Sequence, residues 1–117
     1  MTSKDGTRIA TAVMGQGPTI VRAAHWLTHI SRDPESPIWR HWISELSSQN
    51  RLVRYDLRGC GLSTRAVSDI SFDAWLANLE AVTEGIEDPF TLLGMSQGGA
   101  LSIAYALRYP ERVERLV

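Results

Sequence analysis

The sequence lacks most features that would mark a secreted, metal-binding or membrane protein. It has one cysteine in 117 residues, which excludes an internal disulfide. No group of Cys and His residues has the spacing of metal ligands, so we expect neither a metal site nor a cofactor. The segment from Met1 to Arg8 has no apolar signal core, and no apolar run is long enough to span a bilayer. We therefore predict a soluble, cytoplasmic protein.

An excess of charge of one sign is also missing. The chain has 12 Lys and Arg against 13 Asp and Glu, for a net charge of −1. This balance gives no electrostatic reason to expect nucleic acid or an anionic membrane as a partner. Hydrophobic residues make up 44% of the chain, and no repeat, low-complexity tract or linker divides it. Residues 1–117 are predicted to form one small domain.

The most informative segment runs from Thr91 to Ala100 and reads TLLGMSQGGA. An apolar strand leads into a turn that carries Ser96 between Gly94 and Gly98, and a helical pattern follows. This Gly-x-Ser-x-Gly arrangement is typical of a nucleophile elbow, in which a strained strand-to-helix turn exposes a serine hydroxyl. Glycine is needed at both flanking positions because a side chain there would collide with the neighbouring strand or helix. The backbone N–H of Gln97 then lies at a helix N-terminus, where it can stabilise an oxyanion.

The rest of the chain alternates between strand-like and helical segments. Strands are predicted at 7–14, 19–24, 51–56, 90–94 and, at the start of a further strand, 112–117. Helices are predicted after Ser36, with Pro37 at the first position, after Ser71, and from the elbow to about Tyr109. Two apolar stripes at helical spacing are predicted to be buried: Ile38, Trp39, Trp42, Ile43 and Leu46, and then Phe72, Trp75, Leu76, Leu79, Val82 and Ile86. Arg22 does not fit a strand that is buried on both faces.

This alternation predicts an α/β fold with a mostly parallel sheet and helices on both faces. In such sheets ligands bind beyond the carboxyl ends of the strands. Three loops leave carboxyl ends here, at His25, at Asp56 and at Ser96, and we expect them to converge on one crevice.

With these loops in place, the chain resembles the amino-terminal half of an α/β-hydrolase. The segment His25-Trp26-Leu27 lies where that family has His-Gly-x. The segment 56–63, DLRGCGLS, resembles the family's Asp-x-Arg-Gly-x-Gly-x-Ser turn, and 94–98 resembles its elbow. The sequence is also similar to hydrolase-like domains attached to bacterial transcription regulators and nucleotide cyclases.

The resemblance implies a serine hydrolase that transfers an acyl group from an ester, amide or similar small-molecule substrate to water. Ser96 would be the nucleophile. The oxyanion hole would combine the N–H of Gln97 with one from Leu27, or from Trp26 next to it. As a non-catalytic alternative, the domain would be a hydrolase-like sensor or interaction module of a regulatory protein.

Two departures from the family pattern bear on this implication. Trp26 replaces the usual glycine. In addition, the family's triad follows the order Ser, acid, His, yet all three histidines of this chain precede Ser96. The resemblance therefore implies a single incomplete domain over 1–117, truncated after the helix that follows the elbow, without the cap and the later strands. We expect this chain alone to be inactive and to leave an uncovered sheet edge beside the elbow strand, open to self-association.

The remaining polar residues have structural interpretations that we favour over chemical ones. Asp56 and Arg58, with Gly59 and Gly61, are predicted to fix the glycine turn. His25 is predicted to hydrogen-bond loops beneath the site, and Cys60 to serve as a small turn residue. His29 and His41 are predicted to face solvent.

Overall fold

The computed structural model describes residues 1–25 and 28–117 and contains one five-stranded sheet. The strands are β1 (Thr11–Met14), β2 (Thr19–Ala23), β3 (Arg51–Tyr55), β4 (Phe90–Gly94) and β5 (Val113–Leu116). Their order across the sheet is β1-β3-β2-β4-β5. Only β1 runs antiparallel to its neighbour, and the other pairings are parallel. The predicted α/β fold with a mostly parallel sheet is confirmed.

Three helices connect these strands: α1 (Arg40–Ser48), α2 (Phe72–Thr83) and α3 (Gln97–Arg108). Ser71 caps α2 as predicted, because its side chain accepts the N–H of Ala74 at 3.2 Å. Helix α3 ends immediately before Tyr109, and Pro110 opens a short 3-10 turn that leads into β5.

The helices cover both faces of the sheet. On one face, alternate strand residues pack with α2 and α3 in a single hydrophobic core that includes Val21, Val53, Tyr55, Phe90, Leu92, Leu76, Leu79, Leu101 and Tyr105. Helix α1 contacts β3 and covers the other face, with Ile43 buried. The core therefore fixes the carboxyl ends of β2, β3 and β4 next to one another.

The prediction for the first helix was wrong at its start. Regular helix begins at Arg40, three residues after Pro37, and Ser36 instead caps the preceding turn by accepting the N–H of Ile38 at 3.2 Å. The predicted burial of the apolar stripe was wrong at two of its residues. Ile38 precedes the regular helix and is 69% exposed, and Trp42 is 48% exposed. In the second stripe, Phe72 opens α2 and is 41% exposed.

The expected open edge beside the elbow strand was also wrong. After the turn at Pro110, the chain returns alongside β4, and β5 pairs with it in parallel register. Gly94 at the end of β4 donates its N–H to the carbonyl of Val117 at 2.9 Å. Within the described residues the outermost strands are β1 and β5.

Across residues 1–25 and 28–117, no helix is long and apolar enough to cross a membrane.

Candidate active site

Ser96 occupies the turn between β4 and α3 in an unusual backbone conformation. Its φ is 54° and its ψ is −124°, and it is the only non-glycine residue with positive φ in the described part of the chain. L-residues rarely adopt positive φ because the Cβ then crowds the backbone, and such strain clusters at functional sites. The residue itself is exposed. The turn therefore presents the Ser96 side chain to solvent at the carboxyl end of β4.

Glycine is required on both sides of this serine by close backbone contacts. A Cβ on Gly94 would lie 2.5 Å from the carbonyl oxygen of Gly98, and a Cβ on Gly98 would lie 2.6 Å from the carbonyl oxygen of Ala23. Both distances are far below van der Waals contact. The second contact also places the start of α3 directly against the carboxyl end of β2.

Gln97 is the first residue of α3, so its N–H has no acceptor within the helix. The N-terminus of a helix carries a partial positive charge, which favours a negative group close to Ser96. The Gln97 side-chain Nε2 is buried and has no hydrogen-bond partner among the described residues. The backbone N–H of Gln97 is thus available next to the serine.

The loop after β2 was expected to supply the second oxyanion donor. The two residues proposed for that role, Trp26 and Leu27, lie outside the described residues. His25 precedes them and is buried, and its Nε2 lies 2.9 Å from Nη2 of Arg22. Burial and the neighbouring Arg22 charge lower the pKa of His25, so its ring is neutral near pH 7 and accepts this hydrogen bond. The His25 ring is therefore held by Arg22 of β2, whereas the sequence predicted hydrogen bonds from His25 to loops beneath the site.

Asp56 ties the loop after β3 to the loop after β2. Its carboxylate accepts the backbone N–H of Ile30 at 3.1 Å and of Leu62 at 2.9 Å. Gly61 has φ +50° and passes so close to this carboxylate that a Cβ there would collide with it. Gly59 also has positive φ, at +79°. The structure thus places Asp56, Gly59 and Gly61 in one tight turn, in keeping with the structural interpretation.

Arg58 has a different role from the one expected, since its side chain leaves the turn. Its Nη1 forms an ion pair of 2.6 Å with Asp5 and also donates to the carbonyl of Asp69 at 3.2 Å. The Arg58 side chain therefore joins the N-terminal segment to the loop that precedes α2. Only its backbone N–H supports the turn region, by donating to Asn78 Oδ1 at 3.1 Å.

The other candidates are two histidines and the cysteine of the glycine turn. His41 is exposed, and His29 is half-buried with Nδ1 at 3.1 Å from the Ser31 hydroxyl. Cys60 packs partly against the core, and burial raises the pKa of its thiol, which disfavours the reactive thiolate. Among the residues that the structure describes, no three His, Cys, Asp or Glu side chains gather as metal ligands.

Arg22 and Arg54 were not predicted from the sequence to support the site. Both are almost fully buried, at 4% and 3% exposure. Arg22 stacks on Trp39, with its guanidinium carbon 4.6 Å from the ring centroid. The sequence feature that could have identified them is a charged residue within each of two strands that were predicted to be buried.

Comparison with known proteins gives a consistent family assignment. A family model described as the alpha/beta hydrolase fold matches residues 26–117. The 2-hydroxy-6-oxo-2,4-heptadienoate hydrolase of Pseudomonas putida F1 is 40% identical over 81 residues, which cover 68% of this chain and 29% of that protein. The pimeloyl-[acyl-carrier protein] methyl ester esterase of Nitrosomonas europaea is 32% identical over 103 residues, which cover 88% of this chain and 37% of the esterase.

Solved structures extend the likeness to the fold. A mutant of the meta-cleavage product hydrolase from Pseudomonas fluorescens IP01 superposes with a TM-score of 0.76 at 27% identity, covering 95% of this chain and 40% of that one. The chain therefore spans well under half the length of the relatives it matches.

Proposed function

This chain belongs to the alpha/beta hydrolase fold family, and we propose that Ser96 is the nucleophile of a serine hydrolase acting on an ester, amide or similar substrate. The observation that carries this proposal is the backbone of Ser96, the only described non-glycine residue held at positive φ. A serine that served only to make a turn would not need this conformation, since glycine would adopt it without strain. The names of both curated relatives, a hydrolase and an esterase, also support transfer to water.

The chemistry would proceed in two steps. The Ser96 hydroxyl adds to the substrate carbonyl carbon as a histidine base takes its proton, and collapse of the tetrahedral intermediate expels the protonated leaving group and leaves an acyl-serine. Water then attacks the acyl-serine by the same route and releases the acid. The negative oxygen of each intermediate would be held by the Gln97 N–H and by a second N–H from Leu27 or Trp26.

The mechanism also needs a base, and the described residues show none in contact with Ser96. In the described residues no histidine nitrogen hydrogen-bonds its hydroxyl, since the His25 ring is bonded to Arg22 and the His29 ring to Ser31. A serine hydroxyl without a base is a weak nucleophile at neutral pH. We therefore propose that these residues alone do not turn over esters at a useful rate, although they carry the nucleophile.

The rate of p-nitrophenyl acetate hydrolysis tests this proposal. Wild-type chain, Ser96→Ala and the control Ser44→Ala, which alters an exposed serine of α1, are compared at equal concentration. We expect three equal rates. A high rate lost only in Ser96→Ala would contradict the inactivity and would identify His25, or a histidine of a second chain, as a base.

The alternative is a non-catalytic sensor or interaction domain, which would need no base beside Ser96, and among the described residues no hydrogen bond joins a histidine ring to that serine. A fluorophosphonate probe, which reacts with activated serines, distinguishes the two functions when it is applied to a full-length relative with the same motifs. Labelling of the serine that corresponds to Ser96 supports the hydrolase. Absence of labelling in a folded relative supports the sensor.

A further inference from the structure

Two buried arginines stand side by side on neighbouring strands. Val21 of β2 pairs in parallel register with Val53 of β3, so the residues that follow, Arg22 and Arg54, are neighbours on the opposite face of the sheet. Their exposed fractions are 4% and 3%. Like charges at neighbouring sites repel each other, and the repulsion grows when water is excluded. Each arginine accordingly needs a neutralising partner.

Only some of the guanidinium nitrogens of Arg22 and Arg54 have hydrogen-bond acceptors. Arg22 donates through Nη2 to the His25 ring, and Arg54 donates through Nη2 to the carbonyl of Ile30 at 3.2 Å. Neither acceptor carries a negative charge. Within the described residues, three buried guanidinium nitrogens have no hydrogen-bond acceptor at all: Nε of Arg22 and both Nε and Nη1 of Arg54.

The two nearby carboxylates are engaged with backbone groups. Asp33 and Asp56 lie close enough for their charges to oppose the burial that lowers the pKa values of these arginines. However, none of the ion pairs among the described residues joins either carboxylate to either arginine. Asp33 instead accepts the N–H of His29, and Asp56 accepts the N–H groups of Ile30 and Leu62.

We propose that Arg22 and Arg54 together bind a small monovalent anion, either chloride or a short carboxylate such as formate, on the face of the sheet from which both side chains project. Buried N–H donors without acceptors are rare in proteins because leaving them unpaired is costly, and a charged donor adds to the cost. An anion would accept hydrogen bonds from these unpaired donors. The almost complete burial of both residues restricts the ligand to a few atoms.

This site would act on the loop after β2 without taking part in the chemistry of Ser96. Arg54 holds the Ile30 carbonyl, and Arg22 holds His25, so both arginines contact the loop that the proposed oxyanion donors belong to. The bound anion would fix the two guanidinium groups and, through them, the two ends of that loop.

Thermal unfolding in three sodium salts at equal ionic strength tests the site: chloride, formate and, as a bulky reference anion, gluconate. Ligand binding to the folded state raises Tm, and at about ten times the dissociation constant we expect a gain of roughly 5 °C over gluconate in at least one of the two small-anion salts. Which salt gives the gain identifies the anion. Arg54→Met should lose the gain, and Arg108→Met, which removes an exposed arginine paired with Glu80, should keep it.

A second measurement needs no variant and covers the case in which Arg54→Met does not fold. Crystals of the wild-type chain grown with sodium bromide should show an anomalous peak within about 3.5 Å of guanidinium nitrogens of both arginines. Equal Tm values in all three salts would overturn the proposal. A salt-specific gain that persists in folded Arg54→Met, or a bromide crystal without a peak at the two arginines, would overturn it as well.

Discussion

Both carboxylate oxygens of Asp56 lie within hydrogen-bond distance of the Ile30 backbone N–H, at 3.1 and 3.2 Å. Asp56 follows β3 directly, and Ile30 belongs to the loop after β2, so this contact joins two loops at the carboxyl edge of the sheet. The same carboxylate accepts Leu62 N–H, and the Asp56 side chain is fully buried. Asp56 thus helps to hold the loop that the second oxyanion donor is proposed to come from.

Replacing Asp56 by Asn should destabilise the protein substantially. The amide keeps one oxygen but turns an NH2 group toward backbone donors, so at least one buried N–H loses a charged acceptor. We expect the free energy of unfolding to fall by about 2 kcal/mol or more, measured by urea denaturation. Asp88→Asn, at an exposed position, should change it by less than about 0.5 kcal/mol. Equal effects of the two substitutions would show that the Asp56 contacts do not stabilise the fold.

Replacing Gly98 by Ala should be far more damaging than the same change at Gly85. The new Cβ at Gly98 would meet the Ala23 carbonyl oxygen at 2.6 Å, whereas at Gly85 the nearest atom is the Met1 Cε at 4.0 Å. Because backbone atoms of β2 must move, we expect Gly98→Ala to lower the free energy of unfolding by about 2 kcal/mol or more. Gly85→Ala should be within about 1 kcal/mol of wild type. A neutral Gly98→Ala would mean that α3 and β2 are not in close contact.

Replacing Ser96 by Gly should stabilise the chain relative to Ser96→Ala. Both variants lose the hydroxyl, but only glycine adopts a φ of 54° without Cβ strain. We expect Ser96→Gly to exceed Ser96→Ala in free energy of unfolding by about 1 kcal/mol. If the two variants unfold at the same urea concentration with the same slope, the turn stores no strain at this residue.

Stability should fall as the pH is lowered from about 7 toward 5, because of His25. Burial and the Arg22 charge lower the pKa of His25 in the folded state, whereas an unfolded histidine titrates near about 6.5. The unfolded state therefore binds the proton first, and stability is lost as the pH drops below the unfolded pKa, with a slope of at most about 1.4 kcal/mol per pH unit. Urea denaturation of His25→Gln should show a smaller loss over this range than wild type. The exposed control His41→Gln should behave like wild type, and an unchanged slope in His25→Gln would refute the assignment.

The central strands and the elbow could be predicted from sequence because local chemistry determines them. Phe90 to Gly94 is an apolar run that ends at a glycine-framed turn, and the strand has these bounds in the structure. Ser71 precedes an apolar helical pattern, and it caps α2. In both cases the local signals and the tertiary packing agree.

The start of α1 and the exposure of its aromatic residues could not be predicted in this way. Pro37 fits the first turn of a helix, yet residues 37–39 form only a turn before Arg40. Trp42 lies on the predicted stripe, but Ile43 is the only fully buried residue of this helix. The width of a buried stripe depends on what packs against it, which local spacing does not encode.

The polar contacts that support the site could not be predicted from local sequence patterns either. Arg22 and His25 are three residues apart, and Trp39, just before α1, contacts both: its ring lies 4.6 Å from the Arg22 guanidinium carbon and 5.3 Å from the His25 ring. The partner of Arg58 is Asp5, 53 positions away in sequence. Contacts of this kind appear only when the register of the sheet is known.

The most direct test of the nucleophile assignment is the covalent labelling of Ser96 by a fluorophosphonate, followed by intact mass and peptide mapping. Imidazole is added as an external base, since among the described residues no hydrogen bond joins a histidine ring to the Ser96 hydroxyl. We predict one adduct on Ser96, formed at least about tenfold faster with imidazole than without it, unchanged in Ser44→Ala and absent in Ser96→Ala. An adduct mapped to another residue, or no Ser96 adduct in the presence of imidazole, would contradict the account.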